Sequence, residues 1–334
     1  MKRFLCILVA SLLIAGCANE KSGSEYSHTA MLMGTFVEIK LASSRLTRDD
    51  LASVARELVE EARILEEKFS IFNGASELNA LNLNGRIEAS RELFDIIKES
   101  LEVSRITGGE FDITVTPALK ADGFYKDMPE ELLEKMPGDL TKIGWRNIDL
   151  GAGGKSITLR GGAWIDLSGI AKGYIVDKLS DSLKGKAIDS FLINAGGDIS
   201  CGKKDGGGPW RIGVRSPGER RLTLTLDLEN RAVATSGDYE NVAVDRKTGE
   251  AISHIIDPST DKAIEERFSS ITVIAPTCRR ADALATGMMA MGEEKALALA
   301  GEMGGVEIIT IRRERGEDKV NYSKGASKYI TGGR

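Results

Sequence analysis

Two hydrophobic periods share this chain and follow one another without a regular beat, which excludes most ways of stacking helices and strands. A period of two marks strands. Val37, Ile39 and Leu41 alternate with Glu38 and Lys40 directly after Met33-Gly34-Thr35. Leu222, Leu224, Leu226 and Leu228 alternate with Thr223, Thr225 and Asp227, the pattern of a strand wet on one face. Phe191-Leu192-Ile193 is apolar throughout, as a strand covered on both faces must be, and Ile271-Thr272-Val273 and Val306-Glu307-Ile308 read similarly. A period near 3.6 marks helices. Thr47 with Asp50 has the spacing of a capping box, and Leu51, Val54, Leu58, Ala62, Leu65 and Phe69 form the stripe behind it. Further helices are expected from about Ser90 to Gly108-Gly109, from Ile170 to about Leu183, and from Cys278 to Met291 between a Thr277 cap and Gly292. A regular strand–helix–strand order would predict a parallel sheet. Its absence predicts an α+β fold, antiparallel sheets packed with helices.

The amino end reads as an address. Lys2 and Arg3 precede an apolar stretch from Phe4 to Ala15, shorter than the ~20 residues of a membrane span, so a secretory signal is expected. Leu13-Ile14-Ala15-Gly16-Cys17 resembles a bacterial lipobox, in which cleavage precedes an acylated cysteine. The alternative is an ordinary signal with a chance cysteine. The lipobox reading divides the chain into a signal peptide (residues 1–16), a tether from lipidated Cys17 (residues 17–28) and a globular domain (residues 29–334). It expects a protein held by lipid at the periplasmic face of a bacterial membrane. Losing Lys2 and Arg3 takes the formal charge from −5 to −7, and an acidic chain argues against nucleic acid as a partner. Cys201 and Cys278 could pair or remain buried thiols, and no Cys/His spacing suits zinc.

Four stretches carry candidate chemistry. Asp282 and Thr286 stand four apart on the last predicted helix, so both oxygens project from one face. One carboxylate and one hydroxyl form a sparse oxygen set, suited to Mg²⁺ completed by water and substrate phosphates. Alone, such a pair also reads as a solvated Asp and a Thr bonded back to its helix. Trp164-Ile165-Asp166-Leu167-Ser168-Gly169 runs into the helix carrying Lys172. A glycine turn and a helix N-terminus let backbone approach phosphate, and Lys172 adds a point charge. The spacing is not that of a Walker loop, and a plain strand–helix turn would look alike. Asn194-Ala195-Gly196-Gly197-Asp198 could bring backbone near a ligand or simply end a strand. His28 lies near the tether, so His254, beside Asp257-Pro258, is the imidazole expected within the fold.

Taken in order, these segments resemble the ApbE family of FAD:protein FMN transferases. The matching stretches are Met33-Gly34-Thr35, Phe69-Ser70-Ile71-Phe72 with Ser76-Glu77-Leu78, and Gly109-Glu110-Phe111-Asp112-Ile113-Thr114. They continue through Asp166 to Gly173, Asn194 to Asp198, Ala234-Thr235-Ser236-Gly237, His254-Ile255-Ile256-Asp257-Pro258 and Ala281 to Thr286. The resemblance implies a T-fold-related architecture and FAD contacts at Met33, Phe72, Glu110, Phe111, Asp112, Asp166, Lys172 and Ile256. It implies Mg²⁺ at Asp282 and Thr286 with Gly169 and Ala285 at the same site, and His254 as base with Asp257 beside it. Phe72 stands where many relatives have tyrosine, Lys172 where glutamate is frequent, and Gly169 where some have threonine, so a metal contact at Gly169 would be through its carbonyl. The implied reaction moves FMN from FAD to a Thr or Ser hydroxyl of an acceptor flavoprotein and releases AMP. An FAD pyrophosphatase, giving FMN and AMP, would use the same residues. A non-enzymatic FAD-binding lipoprotein would not need the metal pair, and a solute-binding lipoprotein would show two hinged lobes.

Overall fold

The computed structural model describes residues 23–219, 221–237, 243–244, 251–252, 256–257, 262–263 and 269–333. The described chain begins with β1 (Ser24–Leu32) and β2 (Thr35–Ser43), then α1 (Arg48–Phe69), α2 (Glu77–Asn84), β3 (Arg86–Glu88) and α3 (Arg91–Ile106). Next come α4 (Thr116–Ala121), α5 (Glu130–Lys135), β4 (Ile148–Leu150), β5 (Ser156–Leu159) and α6 (Ala171–Gly185). Strands follow: β6 (Ser190–Ala195), β7 (Asp198–Cys201), β8 (Trp210–Arg215), β9 (Leu222–Leu228) and β10 (Arg231–Gly237). Four two-residue strands, β11 (Ala243–Val244), β12 (Ala251–Ile252), β13 (Ile256–Asp257) and β14 (Lys262–Ala263), precede β15 (Ser270–Ala275). The chain closes with α7 (Cys278–Met291), α8 (Glu293–Glu302), β16 (Glu307–Glu314), β17 (Glu317–Tyr322) and β18 (Ile330–Gly333).

An antiparallel sheet ordered β1-β2-β6-β7-β10-β15-β16-β17 organises the molecule. Its middle strands are covered on both faces, which is why they are apolar without alternation. Ile193, Ala234, Ile271 and Val273 face a core shared with α1, α3, α6 and α7. Their neighbours Leu192, Val233 and Ile274 face a second core, closed by the small sheet β18-β9-β8 through Ile212, Leu224, Leu226 and Leu228. The fold is thus α+β with antiparallel sheets, as the irregular periods predicted. Cys201 lies in one core and Cys278 in the other, both as free buried thiols.

The capping box forms: the Asp50 N–H donates to Thr47 Oγ1 at 3.2 Å and the Thr47 N–H to Asp50 Oδ2 at 2.9 Å. Three expectations need correction. Strand β1 occupies Ser24–Leu32, so the tether expected over residues 17–28 gives way to sheet at Ser24. Its alternate residues Glu25, Ser27 and Thr29 are exposed and Tyr26 and His28 only half-buried, so no apolar period announced it. His28 therefore belongs to the sheet. On β9, Leu222 is 53% exposed while Thr223 is buried. A register shift opposite Val214 and Arg215 inserts one residue and flips the alternation at that end. On α1, Ala55 is fully buried beside the predicted stripe, and Val54 is half-buried, packed against the core. Thr277 holds the cap position of α7 but makes no side-chain cap bond. Asp177 of α6 does that work, accepting the Cys278 N–H at 2.7 Å and the Arg279 N–H at 3.0 Å. No helix among the described residues is long and apolar enough to cross a membrane. Residues 1–22, including the predicted signal and Cys17, lie outside the described residues.

Burial pushes the Asp177 carboxyl from its ordinary 3.8 up to about 6, against the two backbone N–H groups and Arg279. A carboxyl with a raised folded-state pKa contributes stability below its unfolded pKa, and that contribution is lost as pH rises through the folded value. Asp177→Asn removes this titration. Urea midpoints measured at several pH values between about 4 and 7 should decline less with pH in the variant than in the parent. Equal slopes in the two proteins would refute the assignment.

Candidate active site

Helices α6 and α7 meet at Gly173, where α6 has no side chain in the way. A Cβ on Gly173 would lie 2.5 Å from the Cys278 carbonyl oxygen and 2.8 Å from Asp282 Cβ, so only glycine allows this approach. The closeness lets the Gly173 N–H donate to Asp282 Oδ2 at 2.9 Å, leaving Oδ1 for a ligand. One helical turn earlier, a Cβ on Gly169 would sit 3.2 Å from Phe111 Cε2 and 3.5 Å from Thr286 Cγ2. Asp282 and Thr286 therefore face the start of α6. On the far flank, Gly287 admits the loop bearing Phe111, whose Cβ would be 2.8 Å from an added methyl.

Buried acids surround this contact. Asp282 is 6% exposed; burial first, and then the Asp198 charge, push its carboxyl up to about 7, while Lys172 and the Gly173 N–H pull the other way. Asp198 is itself buried and its carboxyl pushed up by that burial, with Lys172 opposing. It reaches its place through the Gly196-Gly197 turn, both glycines at positive φ, and its Oδ2 lies 2.7 Å from Lys172 Nζ. Two more acids brace the walls. Asp112 Oδ1 accepts from the Thr114 N–H and hydroxyl at 2.8 and 2.6 Å, and Oδ2 from the Trp145 N–H at 2.7 Å. Asp166 accepts from the Ser168 N–H and from the Tyr125 hydroxyl, each at 2.8 Å.

These groups enclose a cavity of about 360 Å³. It gathers seven of the eight residues expected to contact FAD (Phe72, Glu110, Phe111, Asp112, Asp166, Lys172 and Ile256) and Gly169, Asp282 and Thr286 of the expected metal set. Met33 and Ala285 are not in its lining. Met33 sits in the β1–β2 turn at φ +54°, with its N–H donating to Glu66 Oε1 at 2.8 Å. Ala285 faces the core from the middle of α7. His254 lies outside the described residues; Asp257 belongs to β13, with its side chain likewise outside them.

Sequence reasoning gave no role to Tyr125, Thr235, Ser236 or Asp198, although all but Asp198 line the cavity and Asp198 pairs with Lys172 there. Thr235 and Ser236 carried a signal, since they lie in the matched stretch Ala234-Thr235-Ser236-Gly237 at the end of β10. Tyr125 carried none, because its partner is 41 residues away in sequence. Among the described residues no group of three or more His, Cys, Asp or Glu side chains could hold a metal. A hard cation here would rest on Asp282, the Thr286 hydroxyl and backbone, a donor set that fits Mg²⁺ retaining water and phosphate ligands.

A family model described as the ApbE family matches residues 33–310. The chain belongs to the ApbE family. An FAD:protein FMN transferase of Vibrio cholerae serotype O1 is 33% identical, covering 90% of this chain and 91% of its own length. Another, from Haemophilus influenzae, is 30% identical over 99% of both chains. Among solved structures, the flavin transferase ApbE from Vibrio cholerae superposes with a TM-score of 0.79 at 28% identity, covering 92% of this chain and 99% of that one. The ApbE protein from Thermotoga maritima gives 0.80 at 28% identity, over 92% and 100%.

The ApbE site here depends on the glycine contact between α6 and α7. Gly173→Ala should force the helices apart at Asp282 and cost ~1–3 kcal/mol, the usual penalty for overpacking. Gly185→Ala at the far end of α6, where an added Cβ meets nothing within 4 Å, should leave stability level or slightly higher. Thermal melts of both variants provide the check, and equal effects would argue against the contact.

Proposed function

We propose that this protein transfers FMN from FAD to a threonine or serine hydroxyl on an acceptor flavoprotein, with AMP as the leaving product. The observation that carries the reading is the charge of the cavity. Four carboxylates (Glu110, Asp112, Asp166, Asp282) line it with a single ammonium, Lys172, and Lys172 is already paired with Asp198. A bare pyrophosphate would be repelled there, so a phosphate substrate has to arrive with a cation. Asp282, Thr286 and the Gly169 carbonyl would hold Mg²⁺, which when bound neutralises pyrophosphate charge. The names of the relatives supply the substrate class.

The chain's own residues divide the remaining work. Phe72, 46% exposed at the cavity, offers a ring face to a flavin or adenine, with Tyr125 tilted beside it at 6.2 Å. Lys172 and the first turn of α6 meet the phosphates. In the transfer, the acceptor hydroxyl oxygen forms a bond to the FMN phosphorus and the pyrophosphate P–O bond to AMP breaks. His254, with Asp257 nearby in sequence, receives the hydroxyl proton. The lipobox residues 13–17 support acylation of Cys17 and residence at the periplasmic face of a bacterial membrane.

Asp282→Ala should remove flavin transfer while far-ultraviolet circular dichroism stays that of the parent. Incubating mature protein with FAD, Mg²⁺ and an acceptor domain, followed by intact mass measurement, reads the outcome. An FMN adduct on the acceptor supports transfer. Free FMN with AMP and no adduct identifies a pyrophosphatase, and undiminished transfer by the variant would remove Asp282 from the metal site.

A further inference from the structure

Helix α2 contributes nothing to the cavity lining, yet two of its side chains hold the segments that do. Asn79 is fully buried. Its Nδ2 donates to the Ile71 carbonyl at 2.8 Å and the Asn73 carbonyl at 2.9 Å, the carbonyls of the two residues on either side of Phe72. Asn82, 4% exposed, makes a two-way bond with one residue: its Nδ2 donates to the Ile165 carbonyl at 3.0 Å and its Oδ1 accepts the Ile165 N–H at 2.9 Å. Ile165 immediately precedes Asp166. Positions 79 and 82 are three apart, so both amides leave the same face of the helix.

The helix has little freedom to shift. Leu78 and Leu81 are fully buried, Ser76 caps it by accepting the Asn79 N–H at 3.0 Å, and the Glu77 carboxylate accepts from the Ser90 N–H and hydroxyl ahead of α3. On the cavity side the same two walls are joined by Tyr125, whose ring lies against Phe72 and whose hydroxyl donates to Asp166. The contacts close a ring, from Phe72 through Tyr125, Asp166, Ile165, Asn82 and Asn79 back to the Phe72 loop.

We infer that Asn79 and Asn82 are positioning residues for the substrate cavity, setting from behind the distance between its aromatic wall at Phe72 and its acidic wall at Asp166. This rests on FAD occupying the cavity. Neither asparagine touches that space, so their loss should weaken substrate binding and leave the chemistry of bound substrate largely intact. Replacing the Asn79 amide by alanine leaves the buried Ile71 carbonyl without that donor and takes one of two donors from the Asn73 carbonyl, which keeps the Ser76 N–H at 2.9 Å, so the loop is held less tightly around Phe72.

The test uses the full mature protein. Asn79→Ala should raise the KM for FAD roughly ten-fold while kcat for acceptor flavinylation stays within about two-fold, and Asn82→Ala should do the same. Asn84→Ala, on the same helix but exposed and, among the described residues, with its side chain bonded to the Ala80 carbonyl alone, should change neither. Hydrogen exchange by mass spectrometry should rise in residues 70–75 for Asn79→Ala and in residues 164–169 for Asn82→Ala, with other peptides unchanged. Should an alanine variant fail to fold, Asn79→Ser and Asn82→Ser keep a hydroxyl in the same space and replace it. Exchange that rises evenly across the chain, or a loss confined to kcat, overturns the inference. If the parent shows no FAD-dependent transfer, the functional reading falls instead, and the local exchange pattern still judges the clamp.

Discussion

The hydrogen bond from the Gly173 N–H to Asp282 Oδ2 forms only because two helices touch backbone to side chain, and the site depends on that touch. A carboxylate with so little solvent would ordinarily rotate toward water or be lost to desolvation. Here it is held by a donor on the neighbouring helix, and the helices are held by Asp177, which spans from α6 to cap α7. Gly169 and Gly287 extend the same logic to either side, admitting Thr286 and Phe111. Three glycines without side chains thus determine where three cavity-lining side chains stand. Packing at this density transmits small displacements, so the glycines are as much part of the site as the oxygens they place.

The second organising fact is that the negative charge lies underneath. Asp177, Asp198 and Asp282 are all buried around Cys278, whose thiol is pushed far up by its own burial and then by those three carboxyls. Arg279 reaches Asp177 at 3.5 Å and Lys172 reaches Asp198 at 2.7 Å, which leaves Asp282 as the acid without a cationic side chain of its own among these pairs. Buried ion pairs offset their desolvation only when well matched. The arrangement therefore concentrates its unmet demand for positive charge at one carboxylate, the one that faces the cavity.

Much of this was legible from the chain and some was not, for reasons that differ by residue. Thr47 and Asp50 announce their helix because capping is a three-residue matter, and the apolar run at Phe191-Leu192-Ile193 announces a covered strand because burial on both faces removes alternation. Thr277 misled because it has the right residue type at the right place, while the stronger acceptor came from a helix 101 residues earlier in sequence. Strand β1 was invisible because half its side chains are polar and it draws order from its partner. Of the site, Asp282 and Thr286 could be read as a pair from helical spacing alone. That they face Gly169 could not, because the distance between two helices is written in what is missing at Gly173.

Phe72 shows how far a resemblance carries and where the structure takes over. The resemblance expects a tyrosine there in many relatives, hence a hydroxyl at the cavity mouth. This chain has a phenyl ring, and the nearby hydroxyl of Tyr125 does not replace it. Tyr125 is buried, and its hydroxyl donates to Asp166 at 2.8 Å and has its proton held well above the ordinary phenol range by burial, by the Asp166 charge and by that bond. It is committed to the wall. The mouth can therefore grip a planar ring through surface alone, Phe72 giving the face and Tyr125 the backing. On the proposed function, discrimination would then come from deeper in the cavity, where the acids and Lys172 would meet phosphate, and the aromatic entrance would supply affinity without reading the edge of a bound ring.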